Sequence, residues 1–388
     1  MPPSFAIIYT YLDSMALIET KEEYKMDNIT LRTVSPNGAK KSIRRAFKKK
    51  RPLFLWGPPG IGKSDIVSQI TEEYNNSLLI DIRLSLWDPT DIKGIPYFDP
   101  TIGKMVWGAP EELPDEELAS QYDTIVLFLD EMNSAAPSVQ AAAYQLILNR
   151  RVGKYKLPDN VIIMAAGNRE ADKGVTYRMP APLANRFVHL ELVPSFDDWF
   201  QWAIDNKVHT DVVGYLTFAK KDLYDFDPKS PSRSFATPRS WSFVSELIED
   251  NDDDENTTTD LVSGAVGEGL AVKFMAHRKV ASTMPNPTEI LDGKVKEMKA
   301  KEISAMYSLT VSLCYELKEA SDKGDKKFDD KVNNFLRFAM DNFETELVVM
   351  GIKLALTQYS LPIDPDEVEC FDEFHERFGK YITAAQQA

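Results

Sequence analysis

The sequence predicts an α/β domain of the doubly wound type, followed by a region built from helices. Three observations lead there. Five short apolar runs alternate with longer amphipathic stretches over the first half of the chain. A glycine-rich octet, Gly57 to Ser64, lies between the first run and the stretch after it. Past about Pro194 the strand signals fade and helical periodicity takes over.

The elements follow in order. Ser35-Pro36 is an N-cap with proline at the first helical position, and it opens a helix to about Lys49. The apolar runs are Pro52–Trp56, Leu78–Ile82, Thr124–Leu129, Val161–Ala166 and Phe187–Leu192. Most are apolar nearly throughout, as strands buried on both faces of a parallel sheet are. Stretches such as Lys63–Tyr74 and Ser138–Leu148 supply the intervening helices. Two insertions break the rhythm. Residues 85–120 carry Trp87, Tyr97, Phe98 and Trp107; residues 150–159 form a short hairpin around Gly153. Downstream, loops are expected at Glu249–Asp260 and near Ser321–Lys327. Residues 1–28 carry no strong pattern and are expected to be a loose or disordered extension, with residues 1–26 dispensable.

Composition narrows the function. A chain of 388 residues with 43% hydrophobic and 27% charged residues has room for two or three folded domains. No apolar stretch approaches the roughly 20 residues that cross a bilayer. The start lacks a basic region and contains Asp13, so no secretory signal is expected. Cys314 and Cys370, far apart, are expected to be buried and reduced, which points to the cytoplasm. A net charge of −15 argues against broad affinity for nucleic acid. The basic run from Lys40 to Arg51 reads first as the solvated face of a helix, and the four scattered histidines have no metal-ligand spacing.

The chemistry sits at strand ends. Gly57, Pro58, Pro59, Gly60, Ile61, Gly62, Lys63 and Ser64 fit G-x-x-x-x-G-K-[ST] in full, with Asp65 continuing into the helix. Such a loop turns backbone N–H groups toward phosphate oxygens, with Lys63 as a point charge and Ser64 as a Mg²⁺ ligand. The following helix aims its positive end at the same anion. Asp130-Glu131 lies just past a buried strand, where two carboxylates are costly without a partner. Asp130 is expected to bind Mg²⁺ and Glu131 to polarise an attacking water. Asn168, after Val161–Ala166, is either a turn residue or a hydrogen-bonding partner of that water or of the γ-phosphate. Arg186 lies between a short helix and the last strand, where a cation is favourable on local grounds alone. Thr237-Pro238 places Arg239 in the first turn of a helix, where the dipole disfavours a cation. A compensating anion, phosphate or carboxylate, is therefore expected near Arg239.

Together these residues resemble an AAA+ ATPase of the MoxR-like branch. GPPGIGKS is similar to Walker A, IVLFLDE to Walker B, AAGN to sensor 1, ANRF to the arginine-finger segment and ATPRSW to sensor 2. DPTDIKGIPYFDP with MVWGAPEELP resembles the helix-2 insert, and RRVGKYKLP the pre-sensor-1 hairpin. The resemblance spans roughly residues 30–290. It implies a P-loop AAA+ domain with a mostly parallel five-stranded sheet, an all-α lid and then a helical C-terminal region. The expected divisions are 29–193 for the α/β domain, 194–290 for the lid with sensor 2, and 291–388 for the tail. It also implies ATP and Mg²⁺, and a ring, usually hexameric, in which Arg186 reaches the neighbouring subunit's γ-phosphate. Arg239 then acts in cis or in trans. The aromatic residues of the inserts are partner contacts or core.

The implied activity is ATP hydrolysis that remodels or activates a protein partner, typically one with a von Willebrand factor A domain. Two alternatives stand beside it. One is a nucleic-acid motor, suggested by Lys154 and Lys156 in the hairpin. The other is a nucleotide-gated scaffold with slow turnover.

Overall fold

The computed structural model describes residues 32–108, 110–172, 176–249, 254–298 and 302–384. The expected N-terminal extension lies outside them. Of these, residues 32–212 together with Ala219–Met275 form one compact unit, and Val213–Phe218 with the described residues from Ala276 onward form another.

The first unit is built on a six-stranded sheet. Its strands are β1 (Thr33–Val34), β2 (Leu53–Trp56), β3 (Ser77–Arg83), β6 (Thr124–Asp130), β9 (Val161–Gly167) and β10 (Val188–Leu192), ordered β1-β10-β2-β9-β6-β3. Every pairing is parallel. Five of the strands coincide with the five apolar runs. The two-residue β1 extends the edge beside β10, too short to leave a periodic signal. The central strands β6 and β9 are buried on both faces, with Ile125 to Leu129 and Val161 to Ala166 all in the core. One cluster packs on each side of the sheet, around Leu127, Ile163 and Leu146 on one face and Phe128, Met164 and Ile70 on the other.

The helices obey their local signals. Pro36–Phe47 starts where Ser35 Oγ accepts from the Gly38 N–H, buries Ala39, Ile43 and Phe47, and leaves Lys41, Arg45, Lys48 and Lys49 in solvent. Lys63–Glu72 and Pro137–Asn149 flank the sheet as expected. The insertions are antiparallel ribbons: β4 (Pro96–Asp99) with β5 (Lys104–Trp107), and β7 (Arg151–Val152) with β8 (Tyr155–Lys156). Trp87 packs against the sheet core, whereas Tyr97, Phe98 and Trp107 are exposed. Trp241, fully buried in the helix Pro238–Leu247, donates to Asp222 O at 2.9 Å and meets Phe274 edge-on. The stretch expected as one acidic loop, Glu249–Asp260, is shorter than its composition suggests. The helix Glu255–Val266 begins inside it, because Asp254 accepts from the Asn256 N–H and acts as an N-cap.

The second unit is helical. Ile303–Asp322, Phe328–Asn342, Thr345–Lys353 and Phe371–Ala384 are its longer described elements. Half-buried amides stitch it: Asn334 donates to Leu291 O and Asn342 to Lys296 O, both at 2.9 Å. Cys314 and Cys370 are buried free thiols, as expected, and burial pushes the Cys314 thiol far up. No described helix is long and apolar enough to cross a membrane.

Candidate functional site

The loop after β2 and the ends of β6, β9 and β3 lie at one edge of the sheet, because these four strands are neighbours and parallel. That edge collects most of the residues singled out above. Gly60 has φ +74°, and a Cβ there would stand 2.6 Å from Thr237 Oγ1, so only glycine fits. Gly62 caps Lys63–Glu72 without any side-chain hydrogen bond, so no side chain competes for the N–H groups of the first turn.

Lys63 Nζ donates to Gly57 O at 2.8 Å, Pro58 O at 2.9 Å and Asn168 Oδ1 at 3.1 Å. Burial lowers its pKa to about 8. The Asp130 and Asp172 carboxylates oppose that shift, while Arg239 and Arg169 reinforce it. Ser64 Oγ donates to Asp130 Oδ2 at 3.0 Å, and Asp130, at 8% exposure, takes the Glu131 N–H on its other oxygen. The same crowding shows on β3, where burial first and then Asp130 raise the Asp81 carboxyl.

Glu131 stands in the left-handed region at φ +51°, a strained setting for a non-glycine residue. Its carboxylate accepts a short hydrogen bond from Ser85 Oγ. Sequence reasoning missed Ser85. It reaches Glu131 because β3 pairs β6 with Arg83 opposite Asp130, and the chain runs two residues further.

Asn133 was also missed. At 1% exposure it donates from Nδ2 to Asn168 O at 2.7 Å, which joins the turn after Glu131 to the turn after β9. Its Oδ1 has no partner among the described residues and lies 2.1 Å from where a Gly167 Cβ would be, so Gly167 tolerates no side chain. Arg169 was passed over as well; it pairs with Asp172 at 2.8 Å and Glu191 at 3.3 Å. Asn133 stands between Met132 and Ser134 in a mixed stretch, which gave no signal of its role.

The two arginines part company. Arg239 lies beside the phosphate loop: its N–H donates to Gly60 O at 3.3 Å, and its charge is felt at Lys63. Its side chain is exposed and no described carboxylate pairs with it. Arg186 lies at the opposite edge of the sheet. β10 begins beside Leu53 and runs parallel to β2, so the phosphate loop is four residues further on, about 13 Å at 3.3 Å per residue.

The Ser64 hydroxyl and the Asp130 carboxylate, adjacent and both oxygen donors, suit Mg²⁺, which keeps waters and phosphate oxygens as its other ligands. Among the described residues no cluster of three or more His, Cys, Asp or Glu could form an all-protein metal cage.

Residues 53–194 match the family described as ATPase family associated with various cellular activities (AAA). The sheet unit thus carries an AAA ATPase-family domain with a P-loop. Midasin of Giardia intestinalis is 28% identical over 192 residues, which are 47% of this chain but 4% of that protein's length. Among solved structures, NtrX from Brucella abortus aligns with 97% of this chain and 73% of its own, at 14% identity and a TM-score of 0.38. A RuvB variant from Thermotoga maritima aligns over 78% and 85%, at 14% identity and a TM-score of 0.33. Likenesses this remote add nothing to the assignment.

Proposed function

We propose that this chain is an ATP-hydrolysing, MoxR-like ring protein that remodels or activates a protein partner. The observation that carries the ATPase reading is the meeting of Lys63, Ser64, Asp130, Glu131 and Asn168 at one sheet edge. In this reading the backbone of Gly57–Gly62 and Lys63 hold the β- and γ-phosphates. Ser64 and Asp130 would hold Mg²⁺, which supplies positive charge to the phosphate oxygens. Glu131, released from Ser85, orients the attacking water and accepts its proton, while Asn168 fixes the water or the γ-phosphate. Arg239 approaches the phosphates from the lid side.

Arg186, about 13 Å of strand away from its own loop, serves the site of the next subunit, so turnover depends on assembly. A hexameric ring is the arrangement this reading favours. The exposed ribbon of β4 and β5, with Phe98, Met105 and Trp107, is the surface offered to a partner, for which a separate protein with a von Willebrand factor A domain is the leading candidate.

Glu131→Gln tests the reading. The variant is expected to bind ATP as the native protein does and to lose at least a hundredfold in turnover. Affinity capture with it in ATP should retain a protein partner. Turnover unchanged by the substitution would support a nucleotide-gated scaffold instead. The exposed Lys154 and Lys156 on the second ribbon favour one other reading, a nucleic-acid motor. ATPase activity stimulated by DNA and falling steeply with salt would select it.

A further inference from the structure

His189 is the one histidine of the sheet, and both of its ring nitrogens are used. Trp56 Nε1 donates to His189 Nδ1 at 2.9 Å, and His189 Nε2 lies 2.8 Å from Ala184 O. The proton positions follow from the partners. An indole N–H only donates and a carbonyl only accepts, so Nδ1 is the bare acceptor and Nε2 carries the hydrogen.

The two partners belong to different machinery. Trp56 is the last residue of β2, and the phosphate loop begins at the next position. Ala184 ends the short helix Ala181–Ala184, and its carbonyl also accepts from the Phe187 N–H at 3.1 Å. That one oxygen thus sets the turn Ala184–Phe187, on which Arg186 stands exposed. Aromatic rings seat the rest of the turn. Phe187 meets Phe54 edge-on at 5.5 Å and His189 at 6.2 Å, while Trp56 stacks on His189 at 6.0 Å. Phe54 pairs with His189 in the β2–β10 ladder, so these four side chains share one face of the sheet.

We propose that His189 is a positioning residue, which ties the strand that launches the phosphate loop to the turn that presents Arg186. The tie sets where that guanidinium stands for a second copy of the chain. The inference rests on the reading of Arg186 as a group supplied to the neighbouring site. His189 itself touches no reacting atom. It acts by fixing Ala184 O, and a guanidinium mounted on a loosened turn loses the alignment that transition-state stabilisation needs.

Two variants keep the aromatic bulk and cut the tie: His189→Phe removes both hydrogen bonds, and Trp56→Phe removes the first. Each is expected to keep KM for ATP within about twofold and to lose roughly tenfold in kcat, because binding residues are untouched and alignment is not. His189→Gln, whose amide still donates toward Ala184, should retain more of kcat than His189→Phe. If His189→Phe fails to fold by circular dichroism, Trp56→Phe carries the test.

Mixed rings separate the proposal from the reading beneath it. Glu131→Gln subunits cannot hydrolyse but keep a well-seated Arg186. Mixed with His189→Phe subunits they should restore turnover above the sum of the two alone, as they should with Arg186→Ala subunits. Full kcat in His189→Phe and Trp56→Phe, beside a slow Arg186→Ala, would overturn the tie and leave the reading of Arg186 intact. So would rescue of Arg186→Ala without rescue of His189→Phe. Native turnover in Arg186→Ala would remove the reading of Arg186, and the tie with it.

Discussion

Lys63 is pulled two ways: burial holds its ammonium at about 8, while Asp130 favours the charged form. A phosphate beside Nζ adds to the Asp130 side of that balance and raises the pKa again. Binding therefore draws a proton in once the pH is above about 8. Nucleotide affinity is expected to hold below that pH and to weaken above it, by up to roughly tenfold per unit, until the pKa of the bound state is passed. Calorimetry at pH 8.5 in two buffers of different ionisation heat should register the uptake, and Lys63→Arg, always charged, should show none. A neighbouring residue invites a second measurement. Ser85 holds the Glu131 carboxylate with a short hydrogen bond, so Ser85→Ala should free that carboxylate and raise basal ATP turnover a few fold; an unchanged rate would show that the bond restrains nothing. Lys63, Ser64, Asp130 and Glu131 were legible in the sequence because each sits in a short contiguous pattern. Ser85 and Asn133 were not, because their partners come from the next strand over. Their meaning appears only once β3 is known to pair with β6, and β6 with β9.

At the scale of elements, the strands were the most legible part. A strand buried on both faces must be apolar along its length, and β6 and β9 are. Elements whose signal is a single side chain were harder to read. The helix at Glu255 hid inside an acidic run, because an N-cap aspartate looks like any other charge in a loop. The helix Pro238–Leu247 was found through its Thr-Pro start, and Arg239 in its first turn pointed to a phosphate or carboxylate nearby, but the packing of Thr237 against Gly60 left no signal. There Thr237 accepts from the Ser240 N–H, Ser240 Oγ accepts from the Thr237 N–H, and the Thr237 side chain fills the space a Gly60 Cβ would need. Thr237→Ala should cost about 1 kcal/mol of stability as a lost N-cap, with the midpoint of chemical denaturation falling accordingly. It should also weaken nucleotide binding, because Arg239 and Gly60 lose their common support. A variant that binds as tightly as the native protein would show that loop and helix are independent.

For the whole molecule, the placement of Arg186 has a kinetic consequence. On the proposed reading, in which Arg186 serves the next subunit, a protomer completes no site alone. Specific ATPase activity should therefore fall on dilution, and Arg186→Ala should lose on the order of a thousandfold in turnover while keeping nucleotide affinity. Activity proportional to protein concentration down to the lowest dilution would contradict this. The ribbon of β4 and β5 bears on a different property, the behaviour of the protein as a colloid. Phe98, Met105 and Trp107 are exposed on it, yet the chain carries a net charge of −15. Mutual repulsion keeps such ribbons apart at neutral pH. Acidification toward the carboxylate range removes that repulsion and leaves the apolar ribbon in place. Solubility should drop sharply there, high salt should bring the drop to higher pH, and Phe98→Ser with Trp107→Ser should blunt it when turbidity is followed through a pH titration.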